Sequence, residues 1–202
     1  MDGLLFYWIC WLLWTAATFL FKKNKTRFYL SFVILLLLSC SNTEVLVCNL
    51  QVNLAVIVSF LSGIIYLAKK KEWILLLFGS LCMTFCYVGI LLWELISPIW
   101  LFVPRLLMIP LIAVILLLFL ADNLIDKCLV WSLGITSGEI LHGFIMNSYG
   151  FHTSIGELAF FDLLFGGIAL QILLKLVLVT KYKLDTLAQT IERKLKMRWN
   201  HE

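Results

Sequence analysis

The amino-acid sequence predicts an all-α, polytopic transmembrane bundle of seven helices, with the N-terminus outside, the C-terminus in the cytoplasm and a C-terminal amphipathic helix. Three observations carry this. Hydrophobic residues make up 62% of the 202 residues and charged residues only 14%, whereas soluble domains carry roughly a quarter charged residues. Fourteen of the sixteen Lys and Arg residues fall into four clusters separated by long apolar runs: Lys22, Lys23, Lys25 and Arg27; Lys69, Lys70 and Lys71; Lys127; and a last group from Lys181 to Arg198. Each interval between clusters has room for two crossings and the stretch before the first has room for one, so every cluster lands on one side, and Lys and Arg collect in cytoplasmic loops.

Seven spans of about 20 residues use roughly 140 residues. What remains is short loops and a tail, so the expected division is a transmembrane domain over 1–180 and a cytoplasmic basic amphipathic tail over 181–202. The net charge of +4 is explained by topology, because basic residues beside the inner leaflet meet anionic lipid. Membrane lipids and membrane-protein partners are therefore expected, and nucleic acid is not.

Helix one is expected from Leu4 to Phe21, with Tyr7, Trp8, Trp11 and Trp14 in its outer half, where aromatic rings suit the headgroup level. It is not read as a cleavable signal, since Asp2 stands where a positive n-region belongs and the charges follow the apolar run. Helix two begins after Arg27, and its purely apolar part ends near Ser39, short of a full crossing. It must either continue through Ser41 to Cys48 or thin the bilayer locally. Helix three covers Leu50 to Ala68, and helix four Trp73 to Trp93. Glu94 to Pro104, with Pro98, Trp100 and Pro104, reads as an outer turn or re-entrant corner. Helix five follows from Arg105 to Leu120, with Pro110 as a kink site.

Asp122, Asp126 and Lys127 form the turn into helix six, Leu129 to Ser148. The turn formers from Asn147 to Gly156 are placed outside, and helix seven runs from Glu157 to Thr180. In the tail, Leu184, Leu187, Ala188, Ile191, Leu195 and Trp199 recur at steps of three or four, which is the pattern of an interfacial amphipathic helix; a solvated or partner-binding helix shows the same spacing. No internal repeat of the transporter kind is visible.

Six cysteines offer neither CxxC pairs nor the Cys/His spacing of a zinc site. Most read as small apolar residues in helices. Cys40 and Cys48 frame the first outer loop and can pair where the compartment is oxidising.

Ionisable side chains inside a bilayer cost about 2.5 to 3.5 kcal/mol each at mid-helix, so each needs a partner or a purpose. The candidates for an intramembrane polar site are Glu139 and His142 on helix six and Asp162 on helix seven. Glu139 and His142 are three residues apart and share a helix face. Three uses are open to them. In a helix with Gly134, Gly138 and Gly143 they can hydrogen-bond neighbouring helices as packing elements. With Asp162 they can form a proton or ion relay opening outward. With Asp162, and with His152 reaching in from the outer loop, they have the donor types of a mononuclear metal site, although the single E-x-x-H pair lacks the second copy that a di-iron centre needs. Depth counting places Asp162 and His142 level with one another, so the three are expected to converge between helices six and seven.

Glu94 and Arg105 flank the Pro-containing turn and can form an ion pair; Arg105 can also snorkel to headgroup phosphates. Lys175 reads as a snorkelling residue, and a retinal-protein reading fails because helix three has no carboxylate to act as a counter-ion.

The head Gly3-Leu4-Leu5-Phe6-Tyr7-Trp8, with Trp11, Trp14, Thr18 and Phe19 running into Lys22-Lys23, together with Gly138-Glu139-Ile140-Leu141-His142-Gly143, resembles the YphA family of small membrane proteins from Bacillus-type bacteria. The resemblance covers most of the chain, implies a bacterial plasma membrane, and supplies no catalytic residues. The leading expectation for function is a non-enzymatic accessory or interaction component, because nearly all of the chain is helix and little is exposed loop. The alternatives are a small transporter or ion- or proton-translocating protein using Glu139, His142 and Asp162, and a membrane-embedded metal-dependent enzyme. No cofactor is expected.

Overall fold

The computed structural model describes residues 3–20, 23–47, 50–97, 104–151 and 154–199, and of residues 188 and 190–199 the backbone alone. Among the described residues the chain forms seven helices and one hairpin: α1 (Leu4–Phe19), α2 (Lys25–Cys40), β1 (Glu44–Val47), β2 (Leu50–Asn53), α3 (Leu54–Leu67), α4 (Trp73–Ile96), α5 (Arg105–Leu120), α6 (Leu124–Ser148) and α7 (Leu158–Trp199). The α4, α6 and Leu158–Leu187 segments are long and apolar enough to cross a membrane. α1 has 16 residues and α3 has 14, so at 1.5 Å per residue they reach only about 24 and 21 Å, less than the roughly 30 Å hydrocarbon core.

α2 neither continues to Cys48 nor stops in open loop. It ends at Cys40, and the chain turns into an antiparallel hairpin in which Val45 pairs with Val52 and Leu46 with Gln51. β-branched residues suit that pleated surface, and the alternation of buried Leu50, exposed Gln51 and buried Val52 gives β2 one inward face. Leu50–Asn53 is therefore strand where helix was expected. Ile155 joins the hairpin edge, accepting from the Asn53 amide at 2.9 Å and donating to the Gln51 carbonyl at 2.8 Å. Asn53 then caps α3: its side-chain oxygen accepts from the Ala55 amide at 2.9 Å, while its Nδ2 donates to the Ser41 carbonyl at 2.7 Å. Such a cap satisfies one of the orphan donors at a helix start.

At the opposite end the basic loops meet. Lys70 Nζ lies 2.5 Å from Asp126 Oδ1, Lys69 sits over the Tyr29 ring at 5.1 Å, and Arg27 donates to the Thr18 carbonyl at 3.1 Å. α6 starts at Leu124, a turn earlier than expected, so Asp126 lies in its first turn, where the positive end of the helix dipole favours a carboxylate. Asp126 and Lys127 are thus helical residues and not a turn. Pro110 lies buried inside α5; with no N–H it leaves the Leu106 carbonyl without its helical donor.

The centre of the bundle is the α4–α6 contact. Gly134 lies against the Met83 side chain and Gly138 against the Tyr87 ring, so the two backbones approach closely, as small residues permit in membrane helix pairs. α7 packs on α6 where Gly167 lies under Trp131, whose indole N–H donates to the Leu164 carbonyl at 2.8 Å. The tail is not a separate helix: α7 continues unbroken past Thr180 to Trp199.

Candidate functional site

Asp162 stands in the second turn of α7 and is 8% exposed. Its Oδ2 accepts from the Gly3 amide at 2.8 Å, and its Oδ1 accepts from the Phe6 amide at 2.7 Å. The first amides of a helix have no intrahelical partner, and α1 has no side-chain cap of its own at Gly3. A carboxylate at that position also meets the positive end of the helix dipole. Asp162 is therefore a cap supplied by the last helix to the first. Around it Phe6, fully buried, packs on Phe161 and Phe165 with ring centroids 5.1 and 5.2 Å away.

Glu139 takes different partners. Tyr87 Oη donates to its Oε2 at 2.7 Å, and the Gly156 amide approaches its Oε1 at 3.4 Å. One turn nearer the basic end, Thr84 and Ser137 share a hydroxyl hydrogen bond of 2.6 Å, and Thr84 reaches the Gly134 carbonyl at 3.1 Å. A polar seam thus runs along α4 and α6 with its hydroxyls bonded to each other or to helix carbonyls.

Glu94 and Arg105 lie 2.5 Å apart. The second Glu94 oxygen is buried with no hydrogen bond among the described residues. The half-buried His142 makes no hydrogen bond among the described residues. Glu139 thus joins α6 to α4, the Glu94–Arg105 pair joins α4 to α5, and Asp162 engages α1. Among the described residues no three His, Cys, Asp or Glu side chains come together as a metal-holding group. His152, Pro98, Trp100 and Cys48 lie outside the described residues, and Cys40 is a free thiol.

A cleft of about 340 Å³ opens at the hairpin end between Ser41, Asn42, Glu44, Asn53 and the start of α7. Polar groups of its lining are already hydrogen-bonded: Ser41 Oγ with Tyr7 Oη at 3.0 Å, and Ser154 Oγ to Glu157 at 2.6 Å.

Sequence reasoning missed two partners, Tyr87 for Glu139 and the α1 amides for Asp162. The first had a signal, because Ser80, Thr84 and Tyr87 put three polar groups on one face of the largely apolar α4, as Glu139 does opposite them. The second had none, since a backbone amide leaves no mark in a sequence.

A bundle of apolar helices, closed by glycine contacts and with its buried carboxylates bonded to amide and phenol donors, defines an integral membrane protein. The chain belongs to the family of YphA-like integral membrane proteins, whose family model matches residues 2–197. It is similar to a Bacillus subtilis (strain 168) protein described as "Uncharacterized protein YphA", at 24% identity over 159 residues, covering 77% of this chain and 78% of that relative. No solved structure matches it.

Proposed function

We propose that the protein is a non-enzymatic accessory or interaction component of a bacterial plasma membrane, with its N-terminus and hairpin outside and its lysine-rich end in the cytoplasm. The observation that carries the functional reading is the engagement of Asp162, whose two carboxylate oxygens each hold an amide of α1. A relay or metal site needs that carboxylate free to exchange a proton or bind an ion, whereas a scaffold needs it where it is. The orientation rests on the Lys and Arg clusters meeting at one end. A reporter fused at Lys70 is expected to read cytoplasmic and one at Gly150 external; a cytoplasmic reading at Gly150 overturns the orientation.

A second reading, proton or ion translocation, draws on Glu139 and His142 sharing one face of α6 in a chain that also holds the Glu94–Arg105 pair. Proteoliposomes loaded with a pH-sensitive dye separate the two under an imposed proton gradient and membrane potential. The accessory reading expects the flux of protein-free vesicles for the wild type and for Glu139→Gln alike. A flux well above that background which Glu139→Gln abolishes overturns it.

A further inference from the structure

Positive charge at the basic end is unevenly spread. α2 lies at the edge of the bundle, packed on α1 and α3, whereas α5 packs on α4, α6 and α7. On the α2 side stand Lys23, Lys25, Arg27, Lys69 and Lys71, and the sequence from Gly3 to Thr43 holds no Asp or Glu. Asp126 is taken by Lys70, which leaves Glu72, next to Lys71, as the acid of this side. The α5–α6 turn at the same end carries Asp122 and Asp126 against Lys127.

Three of the cations form an arc around the start of α2. Arg27 leans toward α1, its Nη1 donating to the Thr18 carbonyl at 3.1 Å. Two residues on, Tyr29 faces α3: its hydroxyl donates to the Ser62 carbonyl at 2.7 Å, and Lys69 Nζ lies over its ring at 5.1 Å. Lys25 stands between them on the outward face, which continues one and two turns later with Phe28 and Phe32. Those two rings stack with centroids 6.4 Å apart and are 75% and 54% exposed. The outward face of α2 thus places cations first and an aromatic surface beneath, the order in which a phospholipid presents its phosphate and its acyl chains. Lys25 and Arg27 carry the sign of charge that the helix dipole disfavours in a first turn, and no acidic side chain stands there to offset them. Guanidinium and ammonium groups form their strongest hydrogen bonds with anionic oxygens, and the bond to Thr18 occupies one nitrogen of Arg27 and leaves donors over.

We propose that the α1–α2–α3 side of the basic end binds anionic phospholipid, with headgroup phosphate held by Lys25, Arg27 and Lys69 and acyl chain lying along Phe28 and Phe32. A zwitterionic lipid offsets its phosphate with its own ammonium, so the selection is for headgroups of net negative charge. This binding goes beyond the accessory reading and is independent of whether the protein is an accessory component or a translocator.

The test reconstitutes the full chain in phosphatidylcholine vesicles with a trace of phosphatidylglycerol or phosphatidylcholine carrying the same photoactivatable acyl chain, and maps the crosslinked peptides. At α2 the phosphatidylglycerol yield is expected to exceed the phosphatidylcholine yield about fivefold or more, the effect of one basic side chain beside an anionic leaflet, and on α5 the two are expected to be equal. Salt is expected to reduce the ratio at α2 by screening. Lys25→Gln with Lys69→Gln, which leaves the bond from Arg27 to Thr18 in place, is expected to bring the ratio toward unity. Lys181→Gln with Lys183→Gln removes the same charge from exposed positions of α7 and is expected to leave it unchanged. Equal unfolding midpoints of the three chains exclude misfolding; if the first pair of changes lowers the midpoint, Lys25→Gln alone, at an exposed position, reads the same fall. A ratio near unity at α2 in the wild type, or an equal fall in both variant pairs, overturns the proposal. So does a ratio abolished by inorganic phosphate and not by chloride of the same ionic strength, which assigns the cations to a soluble anion.

Discussion

Asp162→Asn keeps the side chain's size but leaves one acceptor oxygen for two amides, and turns an amide donor toward the other. The loss of a buried acceptor from a hydrogen-bonded donor costs about 1–3 kcal/mol, so the unfolding midpoint in detergent is expected to fall and amide exchange at Phe6 to quicken. An unchanged midpoint removes the capping role. Tyr87→Phe strips Glu139 of its 2.7 Å partner and leaves only the 3.4 Å Gly156 contact. Hydrogen bonds between membrane helices are worth about 1 kcal/mol, and a loss of that size is expected by the same measurement. At this scale the sequence was half legible. Intramembrane cost drew attention to Glu139, His142 and Asp162, and depth counting set Asp162 level with His142. Depth fixes nothing about angle, however, and Asp162 turns toward α1.

Between elements, the closest fit is Gly167 under the Trp131 ring. Gly167→Ala puts a methyl group into that ring, and overpacking of this kind costs about 1–3 kcal/mol. Loosening of the Trp131–Leu164 hydrogen bond is expected to appear as a shift of tryptophan emission. At the basic end, the hydrogen bond that Lys70 donates to Asp126 raises the Lys70 pKa above its ordinary 10.5, helped by the charge of Asp126 and opposed by burial. A lysine whose folded pKa is raised contributes its stability in full below 10.5 and loses it as pH climbs through the higher folded value. Lys70→Met is therefore expected to cost no more than about 1 kcal/mol, as near-surface pairs do, by an amount constant across neutral pH and shrinking only above pH 10.5. The helices were legible from apolar run length and from the charges and prolines that end them; Pro104 and Asp122 gave both bounds of α5. The hairpin was not, because Glu44 to Asn53 is too short for its alternation to stand out beside apolar helices, and its third partner, Ile155, is more than a hundred residues away.

Taken whole, the molecule has unequal sides. α4, α6 and α7 are long enough for a full crossing, while α1 and α3 are short of it. Lipid beside the short helices must thin, and the long helices tilt to fit the thinner layer. Reconstituted into a series of bilayers of increasing acyl length, the protein is expected to reach its highest thermal midpoint in the thinner members and to lose stability in the thicker ones. A midpoint that rises steadily with thickness contradicts this. The alternation of basic clusters and apolar runs gave the helix count because it is a property of the whole chain. The length of α7 was hidden by its change of composition at Lys181: lysines mark where lipid ends, while helical hydrogen bonding can continue past them.

The cap on α1 has a consequence for how the chain is made. A polypeptide emerges from the ribosome amino end first, so α1 enters the membrane long before residue 162 has been translated. Until then the Gly3 and Phe6 amides lack the carboxylate that holds them in the finished protein, and only the arrival of the seventh helix closes the ring. A nascent chain halted before α7 thus holds the start of α1 without its cap.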